Sequence, residues 1–354
     1  MWLPATVPPV NRRRAVEGAV VAVLLLASLA LFASSRAALS TVASVDLPVF
    51  ALAVATTLAG LAFWSESLAA LLRVQGYRPR PRRFLVVFLA GTGLRGLVPG
   101  GSSSGPAVLA YLVARTTDVP GETSAAMAYV AEVCLWIGSA VVATTGMVAL
   151  LLFGRPTADV LGLAGALVVL ATVVFGLLVY GAFRPTRIER RLRGAVRRLH
   201  DAVEPRSARL AEALDPDGVE ASLDRFFGSL RQLAADPRRA SPAVGAAVAG
   251  WFVHATTLYV VLLAVDVRAS YAAALFVVPV GGLAEGLSIL PGGVGSVEPG
   301  LIALLVLLTP VDLPTATVAV LLYRLSNYWF RVVLGFLALS LLGLGDLAGR
   351  AVES

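Results

Sequence analysis

Lysine is missing from this chain: all 29 basic residues are Arg. Charge of any kind is scarce, at 14% of 354 residues, where soluble domains carry about 25%. Hydrophobic residues make up 58%, and the mean hydropathy is +0.82. Such a chain lacks the polar residues to cover a water-facing surface, which excludes an ordinary soluble domain and makes lipid the main solvent. The single cysteine, Cys134, excludes an intrachain disulfide and a thiolate metal cluster. It sits in an apolar run as a small buried hydrophobe. The two histidines, His200 and His254, are far apart. Walker A, H-E-x-x-H, G-x-S-x-G and acidic metal-binding patterns do not occur. No ATP site, metal, cofactor or catalytic motif is therefore visible, and the chain is not expected to be an enzyme. The net charge of +7 would raise nucleic-acid binding in a soluble protein. Without an aromatic-basic platform that reading falls, because membrane proteins hold Arg in their cytoplasmic loops.

What the chain has is apolar runs, at about 15–34, 47–72, 84–115, 122–153, 158–183, 241–264, 270–309 and 314–345. The first follows Arg12, Arg13 and Arg14 like a signal sequence, but its length and the spans after it suit a retained helix. Two runs are interrupted. The third contains Pro99, Gly100, Gly101, three serines, Gly105 and Pro106; the seventh contains Pro291, Gly292, Gly293, Val294, Gly295, Ser296, Val297, Glu298 and Pro299. Proline removes a backbone donor, and clustered glycine supplies the positive φ that a reversal needs. Neither run is expected to be one continuous helix. From Pro99 the chain reaches Pro120 after 21 residues and Tyr129 nine later. From Pro291 it reaches Pro314 after 23 and Tyr323 nine later. Each half reads as helix, helix, broken element, long helix.

The Arg count orients these elements. Arg12–Arg14, the group Arg73, Arg78, Arg80, Arg82 and Arg83, and the group from Arg184 to Arg198 outweigh Arg36, Arg155 and Arg268. The rich loops belong in the cytoplasm. They share one side only if 84–115 dips into the membrane and returns to the same face. The same logic makes 270–309 re-entrant from the outside and leaves both termini cytoplasmic. The expected fold is an all-α polytopic membrane protein with about six full transmembrane helices. Two re-entrant hairpins complete an inverted repeat, a recurring transporter design. It forms one membrane domain over 1–345, with halves at about 12–155 and 156–345. Residues 184–240 form a cytoplasmic amphipathic connector within it. One helix of the connector spans 187–199; a second carries Leu223, Phe226, Phe227, Leu230 and Leu233.

Ionisable residues inside spans are costly and face a polar interior. They are Glu66, Arg95, Glu132, His254, Glu285, Glu298, Arg324 and Arg331. Arg95 precedes the first break, while Glu285 and Glu298 flank the second. Arg324 and Arg331 are seven apart on one expected helix face, with Asn327 and Tyr328 between them. Glu298 and Arg324 could form a buried pair that holds a hairpin to a helix. Alternatively, the Arg pair offers forks for a phosphate, helped by glycine-rich backbone N–H groups. Glu66 and Glu132 read as packing groups.

The order Pro291-Gly292-Gly293-x-Gly295-x-x-Glu298, then Tyr323-Arg324, resembles the membrane region of lysylphosphatidylglycerol synthases. The resemblance covers about 10–345. It implies a flippase-like protein that moves or binds a phosphate-bearing lipid at the cell membrane, with a lipid-modifying enzyme as a candidate partner. It marks Pro291, Gly292, Gly293, Gly295, Glu298, Tyr323 and Arg324. The first hairpin keeps Pro99 but follows it with Gly-Gly-Ser-Ser-Ser-Gly, where family members show a polar, charged stretch. No soluble aminoacyl-transferase part follows before Ser354, so lysyl-lipid synthesis by this chain alone is not expected. Two other readings remain open: a membrane-embedded enzyme or subunit acting on lipid-linked substrates, and a small-solute secondary transporter.

Overall fold

A computed structural model describes residues 36–97, 101–153, 162, 216–288 and 290–343. The runs 15–34 and 158–183, the helix expected at 187–199, His200, Arg155, Pro99, Gly100 and both termini lie outside the described residues. Every element among the described residues is helical. In lipid this follows from the backbone: with no water to bond to, each N–H and C=O must be satisfied within its own segment.

The helices are α1 (Arg36–Ala43), α2 (Leu47–Val74), α3 (Pro81–Leu97), α4 (Gly101–Thr116), α5 (Gly121–Phe153), α6 (Pro216–Ala235), α7 (Ser241–Ala264), α8 (Tyr271–Leu287), α9 (Glu298–Leu308), α10 (Leu313–Arg324) and α11 (Phe330–Leu341). Local signals set their starts. Asp46, Ser270 and Asp312 each accept a bond from a first-turn amide of α2, α8 and α10. Proline occupies the first turn of α2, α7, α9 and α10, where its missing N–H costs nothing.

Length separates two kinds of helix. α2, α5 and α7 have 28, 33 and 24 residues, so at about 1.5 Å per residue each exceeds the roughly 30 Å hydrocarbon core. These account for three of the stretches long and apolar enough to cross a membrane; the fourth, Pro291–Leu308, is interrupted. Its helix α9 has 11 residues, about 16 Å, or half that core. The last run continues without a gap from α10 through a π-turn, Leu325–Trp329, into α11.

Both interrupted runs break where proline and glycine predict. α3 ends at Leu97 and α4 begins at Gly101. The first break is narrower than the sequence suggests, because Ser102 to Pro106 belong to α4. Pro106 is tolerated there, near the helix start, where it removes only one early bond. In the second, Pro291–Gly293 form a 3-10 turn, with Gly292 at φ 58° and Gly293 at φ 63°.

Packing is reciprocal between halves. α2 runs along α7, where Gly250 makes room for Trp64: a Cβ there would meet the indole at 2.4 Å. Thr56 and Thr57 both bond Thr257 across this seam. α5 rests on α8 through Gly146, and α11 rests on α3 through Gly335 against Gly93. The long last helix of each half thus packs on the first arm of the other half's broken element. Small residues at such crossings let backbones approach, the way membrane helices associate without a hydrophobic drive. Val333, Phe336, Leu337 and Leu341 of α11 and Leu152 and Phe153 of α5 remain exposed, as a lipid-facing surface requires.

The second connector helix, α6, is not a freely solvated element. Phe227 and Leu233 are buried, Arg225 pairs with Glu122 at the start of α5, and Gln75 at the end of α2 donates to the Ser229 carbonyl. The apolar stripe read from the sequence faces the membrane domain, so α6 caps the end where α2 finishes and α5 begins.

Candidate functional site

α3 carries Arg95 two residues before its end, where the broken element turns. Its guanidinium grips Glu132 of α5 with two 2.7 Å bonds, Nη1 to Oε2 and Nη2 to Oε1. Gly105 of α4 leaves the passage: a Cβ there would lie 2.5 Å from Arg95 Cδ. The two residues, both read as intramembrane candidates, are partners across 37 positions. Glu132, read as a packing group, joins α5 to α3 through this pair.

The second cluster centres on Arg324, the last residue of α10. Its Nε donates to Glu298 at 2.8 Å, its Nη1 to Glu285 at 3.4 Å, and its Nη2 to the Gly292 carbonyl. Glu298 in turn accepts from the Gly295 amide at 2.6 Å. The Pro-Gly-Gly-x-Gly turn, the carboxylate three residues on and the arginine of the last helix therefore form one closed network. Arg324 and Glu298 are 4% and 2% exposed. Glu285 also accepts from Arg331 Nη2 at 2.8 Å, and this pair is wetter, at 25% and 15%.

The sequence puts Arg324 and Arg331 on one helix face. The π-turn between them alters that register, since it takes an extra residue per turn. Both still reach Glu285 because both side chains are long. The π-turn turns Tyr328 toward the broken elements. Its hydroxyl donates to the Gly96 carbonyl at 3.0 Å, an acceptor left free at the end of α3. Its ring packs against Gly292 and lies 4.7 Å from the Arg324 guanidinium carbon. The two breaks therefore meet at Tyr328. Gly292 tolerates no side chain, since a Cβ would fall inside the Tyr328 ring.

A cavity of about 140 Å³ opens between these clusters. Arg95, Glu132, Glu285, Tyr323, Arg324, Asn327 and Arg331 all line it, as do Gly96 and Gly292 from the two breaks. Glu298, Tyr328, Pro291, Gly293 and Gly295 support it from the second break and the last helix; Gly101 opens α4. One wall is aromatic, with Trp64, Trp251 and His254 in mutual ring contact and Tyr323 beside His254. Nothing in the sequence pattern singles out the tryptophans.

Four residues of this lining each carry a buried polar atom with no protein partner among the described residues: Asn327 Oδ1 and Arg331 Nε, and Trp64 Nε1 and His254 Nδ1, which lie against Gly250 and Gly60 in the α2–α7 seam. Buried polar groups are nearly always satisfied, so these atoms call for further partners, water or a polar guest. The three Arg and three Glu of the two clusters balance, so an added anion must take the place of a carboxylate or arrive with a cation. Among the described residues no group of His, Cys, Asp and Glu could hold a metal ion.

No curated protein matches the chain. The family described as "Lysylphosphatidylglycerol synthase TM region" matches residues 17–335, nine-tenths of the length, and on that match together with the Pro-Gly-Gly-x-Gly, Glu298 and Arg324 network the protein belongs to that family.

Proposed function

We propose that the protein is a lipid translocase that moves a phosphate-bearing lipid, a phospholipid or a polyprenyl-phosphate-linked one, between leaflets. The observation that carries this is one charged cavity at the meeting point of both broken elements, where Arg331 keeps its buried Nε without a protein partner. Membership in a membrane family of lipid metabolism or transport supports it. In this reading the broken elements are re-entrant hairpins entering from opposite faces. The molecule lies in the cell membrane as an inverted repeat with cytoplasmic termini. The reciprocal packing of α5 on α8 and α11 on α3 favours it, as a twofold between halves predicts.

The roles of the two arginines separate. Arg324 has all its donor groups committed to protein acceptors and serves as framework. Arg331 holds only Glu285 and keeps Nε free, so it is the phosphate-gripping group. A phosphate oxygen takes the place of Glu285 on Arg331, while Glu285 keeps its bond to Arg324. The tails stay in lipid throughout. Protein reconstituted in liposomes should carry labelled phospholipid or polyprenyl phosphate across the bilayer faster than empty vesicles. Failure with every such lipid, under any ion or proton gradient, would reject the reading.

A membrane-embedded enzyme is the second reading, and one observation favours it: His254 shares the cavity with Glu285 and Glu132. Against it, each of these carboxylates is already held by a guanidinium. Chemical change of a lipid-linked substrate by the purified chain, abolished in His254→Gln, would establish it.

A further inference from the structure

A second concavity, of about 530 Å³, lies at the opposite end of the first broken element, where the α2–α3 turn meets the α4–α5 turn. Arg78, Arg80 and Arg83 line it from one turn and Arg115 from the other, with Asp118 the single acid. Among the described residues, Arg78, Arg80, Arg83 and Asp118 have no ion-pair partner. Arg115 reaches only the Tyr111 hydroxyl and ring. Other exposed arginines do pair, as Arg73 does with Glu66 and Arg239 with Asp236, although Arg238 and Arg268 stand without an ion pair among the described residues. α3 begins beside the arginines at Pro81, so its first amides add the positive end of a helix dipole.

The positive-inside bias explains why arginines populate this face. It does not explain their gathering, four to one acid, from two separate turns around one hollow with no ion pair among the described residues. The matching turns of the second half, 265–270 and 309–312, carry Asp266, Arg268 and Asp312, so the accumulation belongs to the first half alone. A cleft lined with one sign of charge focuses its field, and guanidinium forks match phosphate oxygens.

We propose that this hollow binds a phosphate group, as a second site distinct from the central cavity. The phosphate comes either from the headgroup of an anionic lipid in the adjoining leaflet or from a free phosphate ion. The site is independent of the translocation reading, because its test is a binding measurement. In one arm, the full chain is held in nanodiscs of phosphatidylcholine with phosphatidylglycerol, and retained phosphatidylglycerol is measured by native mass spectrometry. In the other, inorganic phosphate is titrated onto the chain in pure phosphatidylcholine nanodiscs by calorimetry. Arg80→Gln/Arg83→Gln should weaken binding about tenfold in one arm, equivalent to roughly 1.4 kcal/mol, and Arg115→Gln should weaken it less. Arg268→Gln should leave it unchanged. The arm that responds identifies the source. Equal binding by wild type and the double variant in both arms, or wild-type binding in neither, overturns the proposal. Unchanged melting of the variants excludes loss of fold.

Discussion

The two halves tie their broken element to the long helix with the same kind of bond and the opposite arrangement of sign. In the first half the broken element supplies the cation, Arg95, and the helix supplies the carboxylate, Glu132. In the second the broken element and its continuation supply Glu285 and Glu298, and the helix supplies Arg324 and Arg331. The first tie is one bidentate pair. The second is a network drier at Arg324–Glu298 than at Arg331–Glu285. The two broken elements thus share the job of being anchored to a long helix, not the residues that do it. It also separates a structural pair from an accessible one within the same half.

Substitutions at the two ties, at one helix crossing and at one helix cap probe that contrast. Arg324→Ala leaves Glu298 buried and uncompensated, and loss of one partner of such a pair costs about 3–5 kcal/mol. The expected outcome is a collapse in the yield of monodisperse protein by size-exclusion chromatography. Arg324→Met combined with Glu298→Leu should recover much of it. Arg95→Ala breaks a wetter pair and should cost about 1.5–3 kcal/mol, the range for hydrogen bonds to charged groups. If the sign is interchangeable, Arg95→Glu with Glu132→Arg should melt closer to wild type than either single change. Gly93→Ala tests the reciprocal packing. Its new methyl would sit 2.5 Å from Gly335 Cα, a clash with backbone that should cost about 1–3 kcal/mol. A melting temperature equal to wild type would show that α3 and α11 do not cross there.

The smallest effect is Asp312→Ala, which removes a cap of α10 for about 1 kcal/mol. The bond from Thr315 holds the Asp312 carboxyl below its ordinary pKa. Its contribution is therefore present above the unfolded pKa of about 3.9 and fades as pH falls through the lower folded value. The gap between wild type and variant, followed by melting in detergent, should be constant near neutrality and close in strong acid.

Much of this was legible in the sequence. Broken runs followed from proline and glycine, and the buried pairing of Glu298 with Arg324 followed from the cost of charge in lipid. Arg95 and Glu132 were each legible as intramembrane charges; their pairing was not, because 37 residues of sequence say nothing about which helices touch. The π-turn was invisible because Leu325 to Trp329 carry no proline or glycine to mark it. The aromatic wall was hidden for a similar reason, since tryptophan is ordinary in a membrane helix. α6 is legible as an amphipathic connector helix, and Phe226 and Phe227 are the residues that argue for its docking; what it docks on is not written in its own stripe.

The central claim is that Arg331, not Arg324, grips the translocated phosphate, and translocation by conservative variants tests it most directly. Arg331→Gln should lower the rate of labelled-lipid movement in liposomes at least tenfold while melting within a few degrees of wild type, since Nε is unpartnered and the pair it leaves is partly hydrated. Arg331→Lys should restore part of the rate by returning the charge without the fork. Wild-type rates from Arg331→Gln, in protein shown to be folded and correctly inserted, would contradict the account.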